Sequence, residues 1–521
     1  MTSAQDLFLA LDQGTQSVRA MLFSRDGELV AKSQQHIEPY FSVHPNWAEQ
    51  HADYFWQNLG QACQGLWRAH PDLRSRVVAA ALTCQRATMV CLDQDMQPVR
   101  PATIWLDSRR TDDYPALPLW LRLASDALGQ RHMMYQLQSK AECNWLAVDY
   151  PDLWAKTRHF VQLSGYLTYQ LTGRLCDAVG AQVGYLPFDY RRQCWAAAHD
   201  LKWRALTVRR EQLPPLVQAA GLLGTISAEA ARHTGIPEGL CLYAAGADKA
   251  CEVLAAGAIT PDVGCLSYGT TATINTGNPR YVEPMFLVPA YPAALPHAYN
   301  TEIMVYRGYW MVNWFKREFA AEEVRRAEEQ GIAAELLFDE LLRQSPVGAL
   351  GLILQPFWTP GVKFPGPEAK GAIIGFGDVH TRAHMYRAII EGIGYALRHG
   401  RERLERRNRQ RITRLKVAGG GSQSDEIMQI TANIFGMQAE RPHTYETSGL
   451  GAAMNAAVGA GYYPDHASAV RSMLHEGRAF KPEASAVKLY DQLYRQVYSK
   501  LYERLAPLYR SIRHITHYPK R

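Results

Sequence analysis

A five-residue segment near the start of the chain is echoed near its middle. Leu11-Asp12-Gln13-Gly14-Thr15 returns as Leu266-Ser267-Tyr268-Gly269-Thr270, an offset of 255 residues, and each copy stands between two apolar, β-prone runs. In the first half these runs are 7–11 and 18–23, followed by the turn Arg25-Asp26-Gly27 and a third run at 29–33. Asp-Gly between alternating strands is a hairpin signal. In the second half the runs are 264–267 and 272–276, closed by Gly277-Asn278-Pro279. Two segments that each open as strand, Gly-Thr turn and strand predict duplicated halves facing each other across a cleft; the competing reading is a chance match. Length favours two domains, because 521 residues exceed the ~250–300 that one hydrophobic core sustains. Gly, Thr, Pro and Asp cluster at 257–262, so the boundary is drawn there, giving halves 1–258 and 259–521.

Helical patterns separate the strands. Residues 54–68 place Phe55, Leu59, Cys63, Leu66 and Trp67 on one stripe; 385–404 has the same spacing. Residues 427–435 follow a Ser-Asp cap region and stop at Gly436, and 452–460 read as a short helix of small residues. Strands mixed with helices in this way indicate an α/β fold.

Composition narrows the class. With 47% hydrophobic and 20% charged residues the chain is globular rather than disordered. Apolar runs such as 77–83 fall short of the ~18–20 residues of a membrane span, and Met1-Thr2-Ser3-Ala4-Gln5-Asp6-Leu7-Phe8 has no leader pattern. Nine cysteines, never spaced C-x-x-C, suit free thiols in a reducing cytoplasm better than disulfides or a zinc site. A net charge of +6 is compatible with an anionic small substrate and too small to indicate nucleic acid.

Three elements carry candidate chemistry. In Asp12-Gln13-Gly14-Thr15-Gln16-Ser17-Val18-Arg19, Gly14 permits a tight turn whose N–H groups and hydroxyls suit phosphate oxygens, and Asp12 is placed to hold Mg²⁺. A plain turn is the alternative. Gly419-Gly420-Gly421-Ser422 joins a strand to a helix and admits a ligand close to the backbone, whereas a tight connection alone needs one glycine. Gly246-Ala247-Asp248-Lys249 brings a carboxylate to a strand end, the place for a general base or for a helix cap. A P-loop, a protein-kinase glycine loop and a Rossmann fingerprint are absent; after Gly449-Leu450-Gly451 the required small residue is Met454.

Together these motifs resemble the FGGY carbohydrate kinase family of the actin–hexokinase–heat-shock-ATPase superfamily. The resemblance spans nearly the whole chain. It adds Trp47-Ala48-Glu49-Gln50, Gln85-Arg86, Ile104-Trp105-Leu106-Asp107-Ser108-Arg109, the segment 164–173, Asn313-Trp314, Arg387 to Gly392 and Gly449-Leu450-Gly451. It implies two ribonuclease-H-like domains flanking a cleft, ATP and Mg²⁺ as cofactors, and a small sugar or polyol as substrate. By position, Asp12 resembles the magnesium-side aspartate and Asp248 the catalytic base. Gly14, Thr15, Gln16, Ser17 and Arg19 match the first phosphate loop and Gly269-Thr270 the second. Gly420, Gly421 and Asn313 match nucleotide contacts, and Arg86, Trp105 and Asp107 the sugar side. Glycerol-kinase-like sequences have Glu, Tyr and Gln where this chain has Ala87, Leu137 and Lys249; xylulose-kinase-like ones have Met-His after the Gln. A ketose or larger polyol, with Lys249 reaching an extra oxygen, is the expected substrate, and glycerol the alternative. From a different class, an idle nucleotide-dependent regulator is the rival reading.

Other signals are discounted. His380 and His384 have metal-pair spacing but lack the Glu of the hydrolytic zinc motif, and the eight Arg or Lys of 401–416 are interrupted by Glu402 and Glu405. The Tyr and Leu stripe of 490–509 reads as core or subunit packing, which leaves a homodimer open. The expected location is the cytoplasm, with neither membrane nor nucleic acid as partner.

Overall fold

The computed structural model describes residues 6–127, 131–361 and 364–518; the first five residues, read above for a leader, lie outside them. Strands β1 (Leu7–Gln13), β2 (Ser17–Ser24) and β3 (Leu29–His36) form an antiparallel ribbon. Helix α1 (Ala52–Ala69) follows, and β4 (Val77–Cys84) returns parallel to β1. After α2 (Leu163–Thr172), strands β5 (Leu222–Thr225) and β6 (Cys241–Ala247) complete a six-stranded sheet in the order β5-β6-β4-β1-β2-β3. Helix α3 (Asp248–Ala255) leaves the end of β6 directly.

The second half repeats this plan. Strands β7 (Val263–Tyr268), β8 (Ala272–Asn278), β9 (Tyr291–Pro292) and β10 (Tyr299–Val305) come first, then helices α4 (Trp310–Phe319) and α5 (Arg382–Asn408). Strand β11 (Arg414–Ala418), α6 (Asp425–Phe435), β12 (Ala439–Glu440), α7 (Thr447–Gly459), α8 (His466–Met473) and β13 (Ala479–Phe480) follow. The sheet order is β9-β10-β8-β7-β11-β12-β13. Apart from β9, strand directions match the first sheet one for one; only the outer pair differs in chain order, the edge strand β5 preceding β6 while the edge strand β13 follows β12. Both echoed Gly-Thr turns join the first two strands of their sheets, so the short repeat marks a repeated topology.

Side-chain alternation divides the first sheet. Leu7, Leu9 and Leu11 pack with Phe55 and Leu59 of α1 and Leu167 and Leu171 of α2, while Phe8 and Ala10 face the opposite way. That second face is covered by Leu450, Ala453 and Ala457 of α7 and Ala469 and Met473 of α8. Two helices from beyond the 258/259 division therefore roof the first sheet. Helix α3 is shared between the halves: Ala250, Cys251 and Leu254 join that roof, and Val253 meets Val263 and Cys265 of β7.

Helices α3 and α7 cross backbone on backbone. A Cβ at Gly451 would stand 2.1 Å from the carbonyl oxygen of Cys251, and one at Gly449 would stand 2.4 Å from the Met21 methyl. The small residues of 452–460 thus serve close packing, and the helix begins at Thr447, earlier than its pattern suggests. Other helices end as expected. Ser424 accepts a hydrogen bond from the Ile427 N–H to cap α6, and Gly436 ends it in the left-handed region. Tyr490, Tyr494 and Tyr498 are buried in the second core, which accounts for the 490–509 stripe. All nine cysteines are free, and no helix among the described residues is long and apolar enough to cross a membrane.

Because the crossing tolerates no side chain, Gly451→Val is expected to destabilise the protein by about 1–3 kcal/mol through overpacking. Thermal unfolding followed by circular dichroism reads this as a lower melting temperature; an unchanged value would contradict the crossing.

Candidate active site

Asp12 continues the alternation of Phe8 and Ala10, so it points to the α3 and α7 side at the end of β1. Its cross-strand partner in the β1/β2 register is Arg19, whose Nη1 donates to Oδ2 at 3.1 Å. Arg19 also reaches Glu446 at 3.5 Å, just before α7, and Lys32 holds the other oxygen of Glu446 at 2.7 Å. Asp12 is buried, and its pKa is pushed up to about 6: burial is the main cause, Arg19 opposes it, and the Asp248 and Glu446 carboxylates add to it.

Asp248 lies at the end of β6 as the first residue of α3 and is half-buried. Its Oδ1 accepts the Lys249 N–H at 2.7 Å, and its carbonyl accepts from Ser448 Oγ of α7 at 3.2 Å. It does not cap the helix, since Ala247 occupies that position. Two carboxylates 236 residues apart in the sequence thus share one electrostatic environment at the ends of two parallel strands that flank β4.

The two Gly-Thr turns are held differently. In the first, Gly14 N–H donates to Ser17 O at 3.1 Å, Ser17 is buried and Gln16 is exposed. The Thr15 hydroxyl donates to Gln85 Oε1 at 2.9 Å and accepts from the Trp105 indole N–H at 3.0 Å. Thr15 therefore ties the turn to the segments matched to the sugar side. In the second turn, Gly269 and Thr270 carbonyls accept the N–H groups of Tyr309 and Trp310 at 3.1 and 3.2 Å, which fixes the start of α4 on the turn.

The triple glycine divides into three roles. Gly419 has φ +86°, and a Cβ there would meet the Tyr268 carbonyl at 2.8 Å. Gly421 lies under the Tyr309 ring, 2.4 Å from a would-be Cβ, and that ring stacks on Tyr268 at 4.8 Å. Gly420 faces open space. Asn313 is exposed on α4, one turn beyond Tyr309.

The residues matched to the sugar side separate. Trp105 is 36% exposed and so is no core aromatic. Asp107 is instead built into the scaffold: it accepts from the N–H of Ala48 at 2.8 Å and from the Arg109 guanidinium, which bridges to Glu49 at 2.7 Å. The Arg109 guanidinium is sandwiched between the Trp47 and Trp145 rings at 4.3 and 4.2 Å. Arg86 is engaged by Glu302 of β10 at 2.8 Å and lies over the Tyr291 ring. Lys249 Nζ turns to the second turn. It bonds Ser267 Oγ and Glu252, 3.3 Å away, and lies 3.9 Å from a would-be Cβ of Gly269.

Sequence reasoning missed Glu302, Tyr291 and Glu446. The one visible signal was a carboxylate inside the apolar strand 299–305. The discounted signals find ordinary roles. His384 accepts the Thr381 N–H at the start of α5, and the described residues contain no cluster of three His, Cys, Asp or Glu suited to a metal. In the basic run, Arg401 pairs with Glu405, Arg414 with Asp262 and Lys416 with Glu440.

The N-terminal domain model of the FGGY family of carbohydrate kinases matches residues 7–255 and its C-terminal domain model residues 264–460. The xylulose kinase of Lactococcus lactis is 26% identical over 93% of this chain and 94% of its own. Two solved structures share the fold. Gluconate kinase from Lactobacillus acidophilus has a TM-score of 0.81 at 19% identity, covering 97% of this chain and 99% of its own. Xylulose kinase from Rhodospirillum rubrum has a TM-score of 0.79 at 25% identity, covering 97% of this chain and 100% of its own. Two sheets of repeated topology, two Gly-Thr turns and matches to both domain models lead to one conclusion: the chain belongs to the FGGY family of carbohydrate kinases and is a sugar kinase.

Proposed function

We propose that the cleft transfers the γ-phosphate of ATP to a hydroxyl of a ketose or polyol longer than glycerol, with Asp248 as general base and Asp12 on the magnesium side. The observation that carries this reading is the mutual field of Asp12 and Asp248, one buried and one half-exposed, on the same side of the sheet. Asp12 fits Mg²⁺ because its carboxylate is buried at a cost that a cation relieves. Mg²⁺ would neutralise charge on the phosphates during transfer.

The chain's own groups account for the rest. The reacting hydroxyl needs a base close by, and Asp248 accepts its proton as the oxygen attacks, a role worth about 10²–10⁴-fold. Phosphoryl transfer is loose, so orientation by the two Gly-Thr turns and by Gly420 dominates. Lys249, beside Gly269, serves the phosphate side rather than the sugar. Trp105 offers its indole face to the substrate, while Asp107 acts through Arg109 to hold that segment. The polyol side is supported by orphaned buried groups flanking Arg86 in the chain, namely Gln85 Nε2 and Thr88 Oγ1, which lack partners among the described residues. Glycerol is disfavoured by Ala87 and Leu137.

Two predictions follow from these roles. Asp248→Asn is expected to bind ATP yet lose at least about two orders of magnitude in turnover. A sugar-dependent coupled ATPase assay reads this, and near-normal turnover would remove Asp248 from the base role. Asp12 makes a pH prediction. Its folded pKa of about 6 exceeds the ordinary 3.8, so stability falls as pH rises between these values and stays lower above them. Asp12→Asn escapes this loss, so without metal its melting temperature should exceed that of wild type at pH 8, with the gap closing near pH 4. Added Mg²⁺ with ATP should raise the wild-type value more than the variant's. Parallel pH profiles for the two proteins would contradict the assignment.

A further inference from the structure

Both halves build the sugar side of the cleft, and the second half supplies an acid to it. Cys84 at the end of β4 is in register with Ala247 at the end of β6, so Gln85 and Arg86 leave their strand beside Asp248. The Arg86 guanidinium is already engaged there. Its Nη2 donates to Glu302 Oε1 of β10 at 2.8 Å, and it lies over the Tyr291 ring of β9, 5.3 Å from the centre. The two side chains are 17% and 4% exposed, so the pair is largely desolvated, unlike a surface bridge. Among the described residues no other acid forms an ion pair with Arg86.

The fold holds Glu302 in place. Alternation puts Asn300 and Glu302 on one face of β10, and the directly opposed Tyr291 of β9 and Asn275 of β8 share that face. Asn275 is buried and donates to Thr273 Oγ1 at 2.9 Å; Thr273 opposes Ser267 of β7, which Lys249 bonds. A buried polar row thus crosses the second sheet from Lys249 to Glu302. The first half fastens its outer edge: the Tyr190 and Tyr291 rings meet at 5.9 Å, and Gln193 Nε2 donates to the Ala298 carbonyl at 2.7 Å. At this edge Asn300 Oδ1 and Gln193 Oε1 are buried acceptors with no partner among the described residues. A ligand hydroxyl can donate to such a wall. A carboxylate has no proton to offer and finds the guanidinium already neutralised.

We propose that Glu302 determines specificity: by cancelling the Arg86 charge from across the cleft, it selects a neutral polyol or ketose over a sugar acid. This rests on the kinase reading and narrows its substrate class by charge.

The test pairs five- and six-carbon alditols and ketoses with the aldonates of the same length. Calorimetry without ATP reads binding, and a coupled ATPase assay reads turnover. Wild type is expected to bind the neutral ligand about tenfold or more tighter than the acid. Glu302→Gln keeps the side-chain size and an oxygen for Arg86 but removes the charge, and should shift the preference in Kd at least about tenfold towards the acid. Arg86→Gln leaves Glu302 uncompensated and should shift it about tenfold the other way. Glu302→Asp should keep the wild-type preference. A purely structural role would weaken both ligand classes together, so an unchanged preference in the two glutamine variants, or shifts of the same sign, would overturn the assignment. So would a wild type that favours the acid or binds neither class. Opposite shifts in Kd with no acceptor-dependent ATP consumption would keep Glu302 in this role and refute the kinase reading instead.

Discussion

The contact at which α3 and α7 cross with no side chain between them sets the geometry of the cleft. Gly451 lies against the Cys251 carbonyl, and Ser448 donates to the carbonyl of Asp248 one turn earlier. This fixes the start of α3, and therefore the Asp248 carboxylate, relative to β1 beneath α7. Two sheets of the same topology are thereby joined with their Gly-Thr turns on one opening. A looser crossing would still bury the same apolar faces, but it would shift the Asp248 carboxylate relative to Asp12.

Charge then divides the opening into zones. Asp12, Arg19 and Lys32 of the first ribbon form with Glu446, at the start of α7, a chain of alternating sign, so Arg19 is held before any phosphate arrives. Lys249 and Ser267 join α3 to β7 beside the second turn. Farther in, Glu302 crosses from the second half to Arg86 over the Tyr291 ring. Each half thus supplies part of the partner set for the other's functional residues, and such mutual dependence suits a cleft that closes on its substrates.

Much of this was legible in the sequence because it depends on local rules. Apolar, β-prone runs and an Asp-Gly turn found β1, β2 and β3; helical spacing found α1; a Ser cap and a terminal Gly bounded α6. Gly14-Thr15 and Gly269-Thr270 announced the duplication, since a tight turn between strands leaves a residue-level mark. What stayed hidden depends on tertiary partners. Asp107 reads as a sugar contact until Arg109, Glu49 and two indoles are seen to enclose it. The Thr15 hydroxyl reads as a phosphate ligand until Gln85 and Trp105 are seen to hold it. Tyr291 left no short-range pattern and Glu302 only a carboxylate within a strand, because their meaning comes from Arg86, more than two hundred residues away in the chain.

The central claim is that a sugar hydroxyl, and not water, receives the γ-phosphate in this cleft. Phosphorus NMR of the protein with ATP, Mg²⁺ and a set of candidate acceptors tests it most directly. The account requires a sugar-phosphate resonance that grows as ATP falls and appears only with acceptor present. Inorganic phosphate released at the same rate with and without acceptor would contradict it.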